Sequence, residues 1–187
     1  NSCSFNDPGV ATAISPTAFL SSPGVNAVAV TVKNYGINIL NSLTVQWELN
    51  GVPQAAYLWT GNLSFGASTA GLLLGNGNFV AGSNLVKAWT TNPNGNTDNY
   101  NTNDTLYYAV YCCNGAMNGT FQIRGANRDF NSFTDAVTAL STCGINGPVI
   151  INVDSGFYFE RITIPAISGS SATNQITFQA LDGDSCH

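Results

Sequence analysis

The sequence predicts an all-β chain in two parts. An antiparallel β-sandwich occupies residues 1–111. After a junction at 112–120, residues 121–187 hold a capping helix and the first coils of an incomplete parallel β-helix. Three observations carry this prediction. Period-2 alternation of apolar and polar residues recurs between residues 8 and 111, broken by turn signals. A single stretch of helical periodicity lies near residues 130–140. The run Gly147-Pro-Val-Ile-Ile-Asn-Val-Asp-Ser-Gly-Phe-Tyr-Phe-Glu-Arg-Ile-Thr-Ile164 then reads as strand, corner, strand.

In the first part, Val28, Val30 and Val32 share one face, with Ala29, Thr31 and Lys33 opposite. Leu43, Val45, Trp47 and Leu49 repeat the pattern, with Thr44, Gln46 and Glu48 turned to water. Asn50-Gly51 supplies the positive φ angles of a two-residue type I′ hairpin, and a strand through Tyr57-Leu58-Trp59 follows. Asn76-Gly77 marks another turn. Strands at Leu85–Thr90 and Thr105–Tyr111 complete the set. About seven strands in roughly a hundred residues is the count of an immunoglobulin-like sandwich.

In the second part, Phe130, Phe133, Val137 and Leu140 recur at helical spacing. Asn131 or Ser132 can cap the start, Asp135 sits in the first turn, and Gly144 suits a left-handed stop. A helix here is placed to plug the open end of a β-helix, covering amides and apolar side chains that the first coil would expose. Three coil strands are expected, Val149–Val153, Arg161–Ile164 and Gln175–Gln179, with Val149, Ile151, Val153, Ile162, Ile164, Ile176 and Phe178 inward. Asp154-Ser155-Gly156 forms the corner after the first, and Pro165 ends the second.

Composition excludes several function classes. Charged residues make up 8% of the chain, against about 25% in ordinary soluble domains. Five Lys+Arg against ten Asp+Glu give a net charge of −5 and no basic stripe, so no nucleic-acid partner is expected. No apolar run approaches the roughly 18 residues of a transmembrane helix. The first residues lack a charged and an apolar leader region, so any export signal is expected to have been removed or to lie outside these residues. The cysteines, Cys3, Cys112, Cys113, Cys143 and Cys186, follow no metal-binding spacing and are disulfide or assembly candidates in an oxidising compartment. Their odd number leaves one thiol free or paired with another chain.

The residues Asp7-Pro8-Gly9-Val10, Pro16, Val28-Ala29-Val30-Thr31-Val32-Lys33-Asn34-Tyr35-Gly36, Trp47-Glu48-Leu49-Asn50-Gly51 and Asn103-Asp104-Thr105-Leu106 resemble the CARDB-like family of bacterial surface sandwiches. This resemblance covers about the first hundred residues and implies a spacer or adhesion unit without fixed enzymatic residues. Gly156, Tyr158, Glu160, Ile162 and Ile164 resemble the first rungs of the pectin-lyase-like β-helix superfamily. Residues 119–183 as a whole are similar to the opening β-helix segments of large surface proteins exported by the type IX secretion route. The superfamily's catalytic acids lie on later coils, and the resemblance implies none here.

Candidate chemistry is sparse. Asn94, Asn96, Asp98 and Asp104 place oxygen-bearing side chains at alternating positions, as a calcium loop would; an Asx-rich turn without metal is the competing reading. Asp154, Glu160, Asp182 and Asp184 invite comparison with paired sugar-cleaving acids, which stand about 5–9.5 Å apart, but Glu160 belongs to the corner motif and is expected to be structural. His187, the one histidine, offers no triad at the chain end. Trp59 and Trp89, with Tyr35 and Tyr57, are candidates for a glycan platform or for core packing. Thr105, in Asp104-Thr105-Leu106, fits a short bacterial O-glycosylation pattern.

The expected function is that of a non-catalytic extracellular structural or adhesive surface protein with no cofactor beyond a calcium ion. It assembles through β-strand edges and disulfides into a filament, or it continues into a longer surface protein. The alternatives are the amino-terminal fragment of a polysaccharide-active β-helix enzyme and a glycan-binding module.

Overall fold

The computed structural model describes residues 5–98 and 100–181. Cys3, Asp182, Asp184, Cys186 and His187, singled out above, lie outside the described residues. The chain divides into two compact units. One holds residues up to 17, 25–78 and 85–108; the other holds 18–24, 79–84 and the chain from 109 onward.

In the first unit, β1 (Pro8–Ser15), β3 (Gly24–Asn34) and β7 (Leu72–Phe79) form one sheet in the order β1-β3-β7. A second sheet is centred on β4 (Leu40–Leu49), which pairs antiparallel with β8 (Gly82–Thr91), β6 (Tyr57–Leu63) and the short β5 (Val52–Pro53). β9 (Thr105–Cys112) follows β8 in that sheet's order, and its last residues, with β2 (Phe19–Leu20) paired to them, belong to the second unit. The side chains expected inward, Val28, Val30, Val32, Leu43, Val45, Trp47 and Leu49, are all in the core, and Ala29, expected on the opposite face, is buried as well because β3 is covered on both sides at that point. Burying each such side chain contributes about 1.5–3 kcal/mol before entropy is counted. The two sheets meet face to face, since a Cβ at Gly75 of β7 would lie 3.3 Å from Cζ2 of Trp47 on β4. Asn50 and Gly51 adopt φ angles of 53° and 77° and close the β4–β5 hairpin as expected. The turn expected at Asn76-Gly77 is not formed; both residues lie inside β7. An Asn-Gly pair bends the chain only where no neighbouring strand holds it extended, and β3 does so here.

In the second unit, β10 (Met117–Ile123), β11 (Ile145–Val153) and β12 (Ile176–Ala180) form a parallel sheet in that order. The helix α1 (Phe133–Cys143) packs Ala136, Ala139 and Leu140 into the same core as Ile123, Phe130, Val149 and Ile151. Ser132 is the cap, its hydroxyl accepting from the Asp135 N–H at 3.1 Å, and Gly144 ends the helix at φ 67°. Asn131 instead clamps Ala109, accepting from its N–H and donating to its carbonyl, both at 2.8 Å. Phe130 lies before the helix, bridged to Ile123.

Three parallel strands are what the described residues build of the expected β-helix. The strand expected at Arg161–Ile164 is absent, and Ile162 and Ile164 are exposed rather than inward. The third strand of the sheet comes from β10, which begins inside the stretch expected to be a junction. A strand exists only where a neighbour completes its ladder. β11 supplies that neighbour to β10, whereas no described strand does so for 161–164.

Candidate functional site

Three carboxylates from two distant parts of the chain converge in the first unit. Asp7 precedes β1, Asp98 lies in the loop after the 3-10 turn Pro93–Gly95, and Asp104 immediately precedes β9. Their oxygens lie within 4.8 Å of one another. Backbone bonds fix two of them. The Asp7 carbonyl accepts from the N–H groups of Tyr35 and Gly36 at 2.7 and 3.1 Å, and the Asp104 carbonyl accepts from Val10 and Thr90 at 3.4 and 3.3 Å. Gly9 permits this approach, because a Cβ there would sit 2.5 Å from the Asn103 carbonyl oxygen. Asn103 donates its side-chain N–H to Asp7 Oδ1 at 2.8 Å, and the Tyr100 N–H donates to Asp98 Oδ1 at 2.8 Å.

Two of the three carboxylates are buried. Asp7 and Asp104 are 7% and 8% exposed, and the one ion pair among the described residues, Lys87 with Glu48, lies elsewhere. Oδ1 of Asp104 and Oδ1 of Asn103 are buried with no hydrogen-bond donor. Two unit charges 4.8 Å apart repel by about 3.5 kcal/mol at an effective dielectric constant of about 20. Burial first, then the charges of Asp98 and Asp7, raise the Asp104 pKa to about 7.

Of the expected calcium loop, Asp98 and Asp104 lie together, and the side chains of Asn94 and Asn96 bond to backbone nearby. Asn94 clamps the start of β4: its oxygen accepts from Asn41 N–H at 2.7 Å and Ser42 N–H at 3.3 Å, and its nitrogen donates to the Ile39 carbonyl. Asn96 donates to the Asn94 carbonyl. Asp7 is the member that sequence reading missed. Its neighbour at the cluster, Asn103, is 96 residues away, so no local spacing connects them.

Trp59 and Trp89 do not form one platform. Trp59 opposes Leu43, on the face of β4 that carries the buried Val45 and Trp47, whereas Trp89 opposes Gln46 on the other face. Trp89 instead stacks against the Lys87 ammonium at 4.6 Å, which also lies 5.8 Å from the Tyr107 ring centre. Thr105 is half-buried at the start of β9.

In the second unit Cys113 is bonded to Cys143 with Cα atoms 5.8 Å apart, and Cys112 is a buried free thiol whose pKa burial raises. Glu160 faces the start of α1. Its carboxylate accepts from the N–H groups of Phe133 and Thr134 at 3.2 and 2.9 Å and from the Thr134 hydroxyl at 2.7 Å. Asp154 receives the Ser155 N–H at 2.8 Å within its corner. The outer edge of β12 has no strand against it among the described residues. Nearby in sequence, Phe157 and Phe159 are 85% and 94% exposed and stack on each other with ring centres 6.3 Å apart.

No protein-family model and no curated protein matches the chain. Among solved structures it is similar to the CARDB domain of a Pyrococcus furiosus protein, crystallised in complex with di-metal ions, at 18% identity. That match covers 58% of this chain and 89% of that one, with a TM-score of 0.45. The solution structure of the same domain gives 19% identity, coverage of 58% and 95%, and a TM-score of 0.43. A Methanosarcina acetivorans domain named for a cell surface protein gives 19% identity, coverage of 58% and 92%, and a TM-score of 0.44. No helix among the described residues is long and apolar enough to cross a membrane.

Proposed function

We propose that this chain is a non-catalytic structural module of an extracellular surface protein, in which the sandwich is a spacer and the parallel sheet is an assembly edge. The observation that carries the reading is the hydrogen-bond register of β12. The Val149 N–H donates to Gln175 and the Leu181 N–H donates to Val153, both at 2.9 Å. In a parallel ladder, alternate residues bond to the same neighbour. Gln175, Thr177, Gln179 and Leu181 therefore face β11, and Ile176, Phe178 and Ala180 direct their backbone groups outward. An incoming strand can add to such an edge through its main chain. Partners are spaced by 149 − 119 = 30 residues between β10 and β11, and by 176 − 149 = 27 between β11 and β12. That spacing suits a β-helix continued by further chain or by another copy. The disulfide and the scarcity of charge favour an oxidising, extracellular setting.

Glycan binding through paired tryptophans has little support once Trp59 and Trp89 occupy opposite faces. Sugar cleavage by Glu160 has little support once its carboxylate caps a helix. The test is Ala180→Pro, which removes one outward N–H and leaves the β11 ladder bonds in place. Sedimentation velocity and negative staining should show concentration-dependent oligomers of the native chain and monomers of the variant with unchanged circular dichroism. A native chain that stays monomeric at high concentration, or a variant that associates equally well, would overturn the assembly reading.

A further inference from the structure

We infer that Asp7, Asp98 and Asp104, with the side-chain oxygen of Asn103, form a binding site for a hard divalent cation of the calcium class. Nearness of the carboxylates is one observation. The second is independent of it: Asp104 is 8% exposed, and its Oδ1 faces no hydrogen-bond donor. Buried carboxylate oxygens are ordinarily satisfied by N–H groups, hydroxyls or a cation. The Asn103 amide adds a second buried oxygen without a donor, while its nitrogen is held on Asp7.

The donor set selects the ion. All the candidate ligands are oxygens, and neither sulfur nor imidazole is among them, which disfavours zinc and the softer transition metals. The ligands come from two separate segments, the residue before β1 and the loop between the 3-10 turn and β9, rather than from one rigid octahedral cage. Such an arrangement suits calcium, which accepts irregular shells of six to eight oxygens, better than magnesium. Water would complete the shell. The cation also ties the start of β1 to the loop that feeds β9, so its binding stabilises the first unit.

The site is tested on the full chain, freed of metal with a chelator and titrated with calcium chloride by calorimetry. Thermal unfolding is followed in parallel by tryptophan fluorescence. All the tryptophans, Trp47, Trp59 and Trp89, belong to the first unit, so this signal reports on the unit that holds the site. The expected result is one site with a dissociation constant on the order of 10⁻⁴–10⁻³ M, and a melting temperature that rises with calcium. Asp7→Asn and Asp104→Asn should each fold, weaken calcium binding by more than about ten-fold, and lose the thermal shift. Asp154→Asn, a carboxylate of the second unit, should behave like the native chain. The inference fails if the native chain takes up no calcium. It fails equally if magnesium or matched sodium chloride gives the same shift, or if both cluster variants keep the native response. None of these outcomes depends on whether β12 recruits another strand.

Discussion

Replacing both Cys113 and Cys143 by serine removes the bond that fastens the chain beyond β9 to the end of α1. The cysteines are 30 residues apart in sequence. Closing a loop of that length in the unfolded chain corresponds to about 3.6 kcal/mol at 25 °C in the chain-entropy account. Serine at position 143 also forfeits a little packing, because Cys143 rests partly buried against the core of the second unit. Replacing both cysteines rather than one leaves neither Cys113 nor Cys143 to pair with Cys112, whose thiol is buried and receives the Asn84 side-chain N–H at 3.5 Å. The assay is native-state hydrogen exchange read by mass spectrometry on peptides from α1, β10 and β11. A loss of about 3.6 kcal/mol corresponds to a fall in protection of several hundred-fold for amides that exchange through opening of this unit. Reduction of the native chain should reproduce the effect. If the α1 amides of the double variant remain protected to within about three-fold of the native chain, the disulfide does not restrain this unit and the reasoning is wrong.

Further predictions concern individual side chains. Glu160→Gln should destabilise the second unit at pH 7 by about 1 kcal/mol or less, the range for a solvent-screened charge at a helix start. Burial pushes the Glu160 pKa up, but bonds from the Thr134 hydroxyl and N–H and the Phe133 N–H, with the charge of Arg124, outweigh it and leave the pKa lowered. The stabilisation is therefore present above the ordinary carboxyl value and lost as pH falls through the lower folded value. Urea unfolding at pH 7 and pH 3 should show native and variant chains converging in acid; a difference that persists or grows there would refute the assignment. Asn84→Ala should cost about 2–4 kcal/mol by urea unfolding. The Asn84 side chain is 1% exposed, accepts the Val80 N–H, and donates to the carbonyls of Val80, Gly82 and Val110. A loss below about 1 kcal/mol would show that those groups find other partners.

The sandwich was legible because its signals are local. Alternation along Leu43–Leu49 sorts buried from half-buried side chains within the strand, Val28, Val30 and Val32 are buried together with Ala29 between them, and Asn50-Gly51 encodes its own turn. Ser132 and Gly144 likewise mark the ends of α1 through atoms a few residues away. What failed depends on neighbours distant in sequence. Asn76-Gly77 has the composition of a turn, yet β3 keeps it extended. The polar stretch Asn118-Gly119-Thr120 has the composition of a junction, yet β11 pairs with it. Asn94 and Asp98 look equivalent along the chain, but one bonds to the backbone of β4 and the other joins Asp7 and Asp104.

The corner that most resembles a β-helix, Gly156-Phe157-Tyr158-Phe159-Glu160, acts here as a fastening before any stack exists. The Tyr158 hydroxyl donates to the Asp154 carbonyl at 2.6 Å, and its ring lies beneath the Arg124 guanidinium at 4.9 Å and against Phe133 at 5.1 Å. Glu160 and Ser132 between them accept the first free N–H groups of α1, from Phe133 through Asp135. These contacts draw the segment after β11 onto the helix and close the core around Phe133, Tyr158 and Phe178. The side chains between them have no such partner within the core, and Phe157 and Phe159 stand in solvent. The corner is held by Tyr158 and Glu160, together with the Arg124 guanidinium, which donates to the Phe157 carbonyl at 3.1 Å. Under the proposed assembly, these two exposed and stacked rings would be apolar area for a partner to cover.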